Sequence, residues 1–450
     1  MTDFFDLEAV QDTKRLEKMR RILVYPNITY SKDLTKDSYI AVIQKMIEHL
    51  NKIRKDLWFY LILPERLEML AFENVTQWFV PFPSYPNQMR IHFDSEALYK
   101  LFDTKYDFDL VFSHLPEHTT QLVNLLWNKT NFAPKVIGYS HWFEFKNITK
   151  YPKNVFPQSV LGILDMESCY VNTEYQKQLV LTEAAEWFNT DTLKRLETII
   201  KPFYLGVDGN DISSVKKDTP KTIVFNHRPH TYKNFDDFME IMDKLYAKRQ
   251  DFKVWIPLLE QPNRPYVTTT KFSKREYYQA LRNCRVGFAP KQTYGGWSVA
   301  GTDGLMNGVP YVMYDAGYYH ELWNDASFFK THDEALAHIE QYLDDNDYRN
   351  KQGASAIKHC KDKLLYDYSI QDLSSLIDTT IDGYKPVGES RILKELTKMI
   401  KLRKYVSKKK LFEELKWGVG IKFDSYRRAL MNDPNIFDEF GEFPTYHYKE

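Results

Sequence analysis

The chain is poor in cysteine, in glycine and proline, in long apolar runs and in net charge, and each shortage excludes something. Only three cysteines occur among 450 residues, Cys169, Cys284 and Cys360, far apart and with no C-x-x-C pair. That spacing excludes a disulfide framework and a thiolate zinc site, and makes a reducing cytoplasm the expected setting. With 17 glycines and 20 prolines against 43% hydrophobic residues, the composition is neither collagen-like nor of low complexity. The longest apolar runs, such as Leu57–Pro64, fall far short of a bilayer span. The acidic start Met-Thr-Asp-Phe-Phe-Asp-Leu-Glu is unlike a signal peptide. No H-E-x-x-H occurs, the 12 histidines are scattered, and no D-x-D stands at the carboxyl end of a strand-like run. No metal site is therefore expected, and the acidic run 344–347 reads as a solvated cap.

What is present begins with an uneven charge. Net charge is zero, 61 basic against 61 acidic residues, yet residues 391–428 hold 13 Lys and Arg and 4 Asp and Glu. That segment carries +9 and the remainder −9, so an acidic body precedes a basic C-terminal module.

The body alternates short apolar runs with amphipathic helices, the pattern of βαβ units and parallel sheets. Strand-like runs fall at 21–25, 57–63, 110–112, 135–139 and 168–172, with a helix over 38–53. After a break near 200–210 and a polar stretch at 213–219, the pattern restarts. Strands are expected at 221–226, 252–256, 285–289 and 309–313, with helices at 235–248, 274–283 and 302–307. Two doubly wound α/β domains follow, 1–205 and 206–385, and a basic helical module over 386–450. Ligands of such sheets lie beyond the carboxyl ends of the strands, here in a cleft between the domains.

Two strand ends in the second domain carry anion chemistry. Arg228 and Lys233, five residues apart after a strand, can converge on a phosphate, one as a fork and one as a point charge. A solvated loop carrying two cations is the plainer alternative. The other strand end is 289–310, where a Gly-rich turn leads into a helix starting near 298–302. Gly295 and Gly296 permit close backbone approach, and free N–H groups at a helix start bind anions such as a diphosphate. Asp303 in the first turn serves either the helix dipole or a ribose hydroxyl.

The segment Gly295-Gly-Trp-Ser-Val-Ala-Gly-Thr-Asp-Gly-Leu-Met-Asn-Gly-Val-Pro310 resembles the donor-site signature of retaining GT-B glycosyltransferases of the family-4 type, E-G-F-G-x-x-x-x-E-A-x-x-x-G-x-P. Arg228 and Lys233 resemble the R-x-x-x-x-K pair of that family, and Leu205-Gly-Val-Asp208 its interdomain segment. The resemblance spans residues 20–375 and implies a nucleotide-sugar donor, retention of configuration and no required metal. It implies donor contacts from Arg228, Lys233, Gly295, Gly296, Trp297, Ser298, Val299, Ala300, Thr302 and Asp303. Three departures stand out, one of them the shortening of the second acidic residue of the signature to Asp303. Gly295 replaces the acid that contacts the sugar, and Tyr25-Pro-Asn-Ile-Thr-Tyr30 replaces the Gly-rich loop after the first strand.

In the first domain, Ser113-His114 and Ser140-His141 each follow a strand-like run and are expected to face the cleft. The resemblance places His141 where the family keeps a histidine near the reacting sugar. His114 reads as a hydrogen-bonded core residue or, alternatively, an acceptor contact. Glu144 and Glu117 are further candidates for orienting an acceptor hydroxyl.

The C-terminal module combines an apolar stripe at Ile392, Leu393, Leu396 and Ile400 with a second helix from an N-cap at Ser407 and a third near 424–430. Its helix-turn-helix proportions suggest double-stranded DNA held by Arg403, Lys404, Lys408, Arg427 and Arg428. A cationic brace across the two domains is the alternative. A base acceptor resembles the hydroxymethylcytosine glycosyltransferases of T-even-like bacteriophages, which would place the protein in host cytoplasm. Phe225-Asn-His-Arg228 resembles a stretch of tRNA-queuosine mannosyltransferases, and keeps a modified tRNA base open. An envelope glycan or lipid, and a non-catalytic DNA-binding scaffold, complete the alternatives.

Overall fold

The computed structural model describes residues 19–27, 38–64, 74–80, 92–102, 108–130, 134–141, 143–146, 155–261, 263–270, 272–293, 296–382, 405–407, 436–439 and 445–448. In the first domain the strands are β1 (Arg20–Tyr25), β2 (Leu57–Pro64), β3 (Val75–Val80), β4 (Leu110–Ser113), β5 (Lys135–Ser140), β6 (Ser168–Val171) and β7 (Ile200–Pro202). Its helices are α1 (Ser38–Ile53), α2 (Ser95–Leu101), α3 (Pro116–Thr130), α4 (Val155–Leu164), α5 (Glu174–Ala184) and α6 (Thr190–Ile199). The strands form one parallel sheet in the order β3-β2-β1-β4-β5-β6-β7.

The second domain holds β8 (Thr222–Val224), β9 (Lys253–Trp255), β10 (Val267–Thr268), β11 (Val286–Ala289), β12 (Tyr311–Tyr314) and β13 (Ser327–Phe329). Around them lie α7 (Phe235–Lys248), α8 (Lys274–Arg282), α9 (Val299–Met306), α10 (Gly317–Leu322), α11 (His332–Asp344) and α12 (Asn346–Lys363). This sheet is also parallel, in the order β10-β9-β8-β11-β12-β13.

Parallel strands are covered on both faces, so their sequences read as unbroken apolar runs. Val111, Ile137, Cys169, Ile223, Val286 and Val312 are all fully buried or nearly so. Helix starts are set by local chemistry. Thr173 Oγ1 caps α5 through the Gln176 amide, and capping boxes at Ser273–Glu276 and Thr331–Glu334 open α8 and α11.

Several short elements escaped the sequence pattern. The break placed near 200 is instead β7, the last strand of the first sheet, and β3, β10 and β13 were not anticipated. After Leu364 the chain turns back as α13 (Tyr366–Asp382), which packs on α1, β4 and β5 of the first domain. Ile370, Leu373, Ile377 and Ile381 of α13 share one core cluster with Ile40, Ile43, Ile47 and Leu50 of α1. Each such side chain contributes roughly 1.5–3 kcal/mol on burial, enough to fasten the return helix. Arg20 adds ion pairs to Asp378 at 2.6 Å and Asp382 at 2.9 Å. At the crossover a Cβ on Gly206 would lie 2.5 Å from the Tyr366 backbone nitrogen, so only glycine fits between the linker and α13.

Beyond residue 382 the described residues form three strands, β14 (Tyr405–Ser407), β15 (Ile436–Glu439) and β16 (Thr445–Tyr448), paired antiparallel in the order β14-β16-β15. Ser407, expected as a helix N-cap, ends a strand instead, because β16 supplies backbone partners from a segment 38 residues away. The helices expected at 392–400 and 424–430 lie outside the described residues, as do Arg403, Lys404, Lys408, Arg427 and Arg428. No helix among the described residues is long and apolar enough to cross a membrane.

Candidate active site

The half of the candidate site contributed by the second domain forms where β8 and β11 end side by side. After β8 the chain runs through His227 and Arg228 into a single turn, Thr231–Lys233, held by the His230 side chain accepting from the Tyr232 amide. Asn234 then takes a left-handed conformation (φ 43°), tolerable for asparagine, and the chain enters α7. This turn is fixed to the loop after β11. The Thr293 amide donates to the Tyr232 carbonyl at 3.1 Å, and Lys233 Nζ donates to Gln292 Oε1. Arg228 is exposed and lies close enough for its charge to act on Lys233. Burial, and then the Arg228 charge, push the Lys233 ammonium down to about 8. Burial likewise drives His227 down to about 3, so it is neutral.

Helix α9 begins close to the loop after β8, whose Asn226 side chain donates to the Ala300 carbonyl at 2.7 Å. Ser298 caps it, its Oγ accepting from the Gly301 amide at 3.0 Å, while the Thr302 hydroxyl bonds back to the carbonyls of Ser298 and Val299. The Val299 and Ala300 amides open the helix, where no helical carbonyl reaches them. Gly301 is packed against Leu322, whose Cδ2 would be 2.8 Å from an added Cβ. Behind the helix, Asn226 donates to the Ala300 carbonyl and to Tyr277, and accepts from Tyr311. Asp303 receives the Tyr278 hydroxyl at 3.4 Å. Burial pushes its carboxyl up to about 7, against the opposing influence of Lys274 and the tyrosine hydroxyls. Gly295 lies outside the described residues; Gly296 is half-buried with open space, an added Cβ meeting only Asn172 Nδ2 at 3.9 Å.

The other half comes from the ends of β4, β5 and β6. His114 and His141 are neighbours, their rings 5.9 Å apart. His141 packs edge-on against Tyr39 at 4.4 Å and Tyr139 at 4.5 Å. Its carbonyl accepts from Asn172 Nδ2 at 2.5 Å and Gln176 Nε2 at 3.1 Å, while Tyr139 donates to Asn172 Oδ1. His114 is 1% exposed and driven down to about 3 by burial. It is a core residue as read, but neither ring nitrogen has a hydrogen-bond partner among the described residues, which does not support the hydrogen-bonded role. Its burial also speaks against direct contact with a large acceptor. The same is true of Glu144, 4% exposed between Phe143 and Phe145, and of Glu117, which receives the Ser159 hydroxyl at 3.4 Å. Both side chains are buried in the first domain, Glu144 because Phe143 and Phe145 on either side of it fold inward, and Glu117 in the first turn of α3.

One carboxylate bridges the halves. Glu321 of α10 accepts from the amides of Glu174 and Tyr175 at 2.7 and 2.6 Å and from the Tyr204 hydroxyl at 3.1 Å. It thereby neutralises the amino end of α5 across the cleft, and the Tyr204 ring packs tilted against Trp297 with centroids 5.3 Å apart. Hydrogen bonds to a charged group are worth roughly 1.5–3 kcal/mol each. Glu321→Ala is therefore expected to open the cleft, shifting the closed population by more than about tenfold. Small-angle scattering should show a larger radius of gyration; an unchanged profile would count against the bridge.

The residues that sequence reading missed are Asn172, Asn226, Gln292 and Glu321. Asn172 and Asn226 follow strand ends, the one signal that marked them in advance. Among the described residues one surface group, Asp237, Glu240 and His332, brings three potential metal ligands together, and Glu240 there is paired with Lys244 at 2.7 Å. The acidic run at 344–347 is accounted for structurally. Asp344 pairs with Arg249 and Lys221, and Asp345 caps α12.

No protein-family profile and no curated protein matches the chain. Solved structures do. HepE from Anabaena, in complex with UDP and glucose, matches with a TM-score of 0.57 at 11% identity, over 80% of this chain and 100% of that one. A trehalose-6-phosphate structure from E. coli bound with UDP-2-fluoro glucose gives 0.59 at 12%, over 80% and 98%. An S. aureus TarM mutant with Fondaparinux, alpha-GlcNAc-glycerol and UDP gives 0.50 at 14%, over 63% of this chain and 58% of that one. The match thus spans little more than half of TarM. These similarities show the fold: two facing Rossmann-like domains in the GT-B arrangement that these glycosyltransferases share.

Proposed function

We propose that the protein is a glycosyltransferase using a nucleotide-sugar donor. The observation that carries this reading is the joining of Lys233 to Gln292 and of Thr293 to Tyr232, which ties the loop bearing Arg228 and Lys233 to the loop after β11 that leads towards α9. The bond from the anomeric carbon to the diphosphate oxygen breaks, and one from that carbon to an acceptor hydroxyl oxygen forms, with loss of the hydroxyl proton. Arg228, Lys233 and the α9 amides receive the charge that develops on the leaving diphosphate. Asp303 takes the ribose hydroxyls, and His141, fixed through Asn172, orients the sugar. UDP and glucose in HepE, and UDP-2-fluoro glucose in the E. coli structure, support a UDP-sugar as donor.

The finer reading is transfer to a hydroxymethylated cytosine in double-stranded DNA. It is supported by the +9 charge of residues 391–428, which would attract a phosphate backbone. A base is reachable when it is flipped out or when its hydroxymethyl group projects into the major groove. The test incubates the full chain with a panel of UDP-sugars, with and without hydroxymethylcytosine DNA, and follows UDP release and base mass. UDP release that requires the modified DNA, with a matching mass gain, is expected and names the sugar. Release indifferent to DNA refutes the DNA acceptor and leaves the transferase standing. DNA binding without turnover of any donor would favour the non-catalytic scaffold that Gly295 suggests.

A further inference from the structure

Lys233 is held by an amide, although a carboxylate is the commoner partner of a buried lysine. Its Nζ donates to Gln292 Oε1, and its ammonium also lies 5.2 Å from the Tyr232 ring centroid. Gln292 is 6% exposed and is itself fastened at two further points. Its backbone amide donates to the Tyr318 hydroxyl at 2.9 Å, and its Nε2 donates to the Tyr319 hydroxyl at 2.8 Å. Tyr319 in turn donates to the Pro290 carbonyl at 2.9 Å. The side-chain amide therefore has one orientation, because only its oxygen can face a lysine. Rotation by half a turn would set two donors against an ammonium and leave Tyr319 without its donor.

We propose that Gln292 is a positioning residue of the donor site, a neutral holder that aims Lys233 while leaving its positive charge uncompensated for a diphosphate. This rests on the donor-site reading given above and deepens it. A carboxylate at this place would fix the ammonium equally well but would cancel the charge and repel the incoming phosphates. An apolar residue would leave the charge but not the aim. The amide alone supplies both.

The consequence is a pH signature. Among the described residues, the charged or titratable groups facing Lys233 are Arg228, His227 and Tyr232, all from the loop after β8, and the opposing loop presents Gln292 and Thr293. With its ammonium at about 8, Lys233 is charged below that pH and neutral above it. A bound diphosphate raises the value again, so donor affinity is highest below about 8 and falls as pH rises through it. Binding above this point takes up a proton.

Isothermal titration of UDP into the full chain, from about pH 7 to about pH 10, tests this in the parent protein, Gln292→Glu, Gln292→Leu and Lys233→Ala. The parent is expected to lose affinity by roughly tenfold per pH unit at most above about 8. Gln292→Glu, close in shape, should bind UDP at least about tenfold more weakly at pH 7 and lose the break near 8, because the carboxylate holds the lysine charged. Gln292→Leu should weaken binding less and keep the break. The ¹³Cε shift of Lys233 reports the ionisation directly and does not depend on UDP binding. Parent binding that Lys233→Ala abolishes, with Gln292→Glu matching the parent in affinity and in pH profile, overturns the role of Gln292 and leaves the donor site intact. UDP binding that is absent from the parent, or indifferent to Lys233→Ala, overturns both.

Discussion

Reversing the charge of both Arg228 and Lys233 to glutamate is expected to abolish sugar transfer, lowering kcat/KM by about 10³-fold or more. Glycosyl transfer builds negative charge on the departing diphosphate, and no other cations among the described residues are assigned to that place. Loss of a single preorganised donor to a developing anion commonly removes about 10²–10³ in rate. Two reversed charges add repulsion to that loss. Folding should survive, since Arg228 is exposed and Lys233 touches the Gln292 side chain and the Tyr232 ring rather than the hydrophobic core. The separate alanine variants should divide the effect. A contact present only in the transition state lowers kcat, whereas one that also holds the ground-state donor raises KM. Activity equal to the parent in the double variant would end the donor-site assignment, whatever the fold.

Arg349→Ala is expected to cost about 3–5 kcal/mol of folding stability, the largest effect foreseen away from the cleft. The side chain has no exposure at all and lies on α12 beneath the second sheet. Its guanidinium donates to the carbonyls of Arg285 at 3.2 Å, Cys284 at 3.0 Å and Lys216 at 2.7 Å. Burial lowers it to about 10, which leaves it charged at neutral pH. Truncation would strip three carbonyls of their donor and open a cavity the size of the longest side chain in the core. Arg349→Lys keeps the charge but offers no planar fork, and should recover only part of the loss. The function is indirect. Cys284 and Arg285 lead into β11, which delivers the loop carrying Gln292 and Thr293, and Lys216 belongs to the linker between domains. A shift in denaturant midpoint at unchanged slope measures the effect; a loss below about 1 kcal/mol would show that the three carbonyls find other partners.

Both expectations rest on residues of different legibility. Arg228 and Lys233 were singled out from sequence because a strand followed by two cations at fixed spacing, and by a Gly-rich turn into a capped helix, is a local pattern. Arg349 was not, because nothing in a polar helix marks one arginine as the buried one; the three carbonyls that receive it come from two segments far away in the chain. Gln292 and Glu321 were hidden for the same reason. A glutamine in a loop and a glutamate on a short helix acquire meaning only when α10 meets the β11 loop on one side and α5 on the other.

The sequence by itself determined the two parallel sheets, the positions of their main strands along the chain and the start of α9 at its Ser298 cap, because apolar runs, periodicity and caps act over a few residues. It also marked the basic segment 391–428, since charge simply adds along a chain. Only the tertiary structure decided that β7 completes the first sheet, that α13 returns to fasten it, and that Ser407 pairs with Thr445 instead of capping a helix. It alone sealed His114, Glu117 and Glu144 in the core while leaving Arg228 exposed. The physical reason is common to all of these. A short strand or a lone polar side chain has too little local free energy to choose its state, so partners brought from elsewhere in the chain choose it.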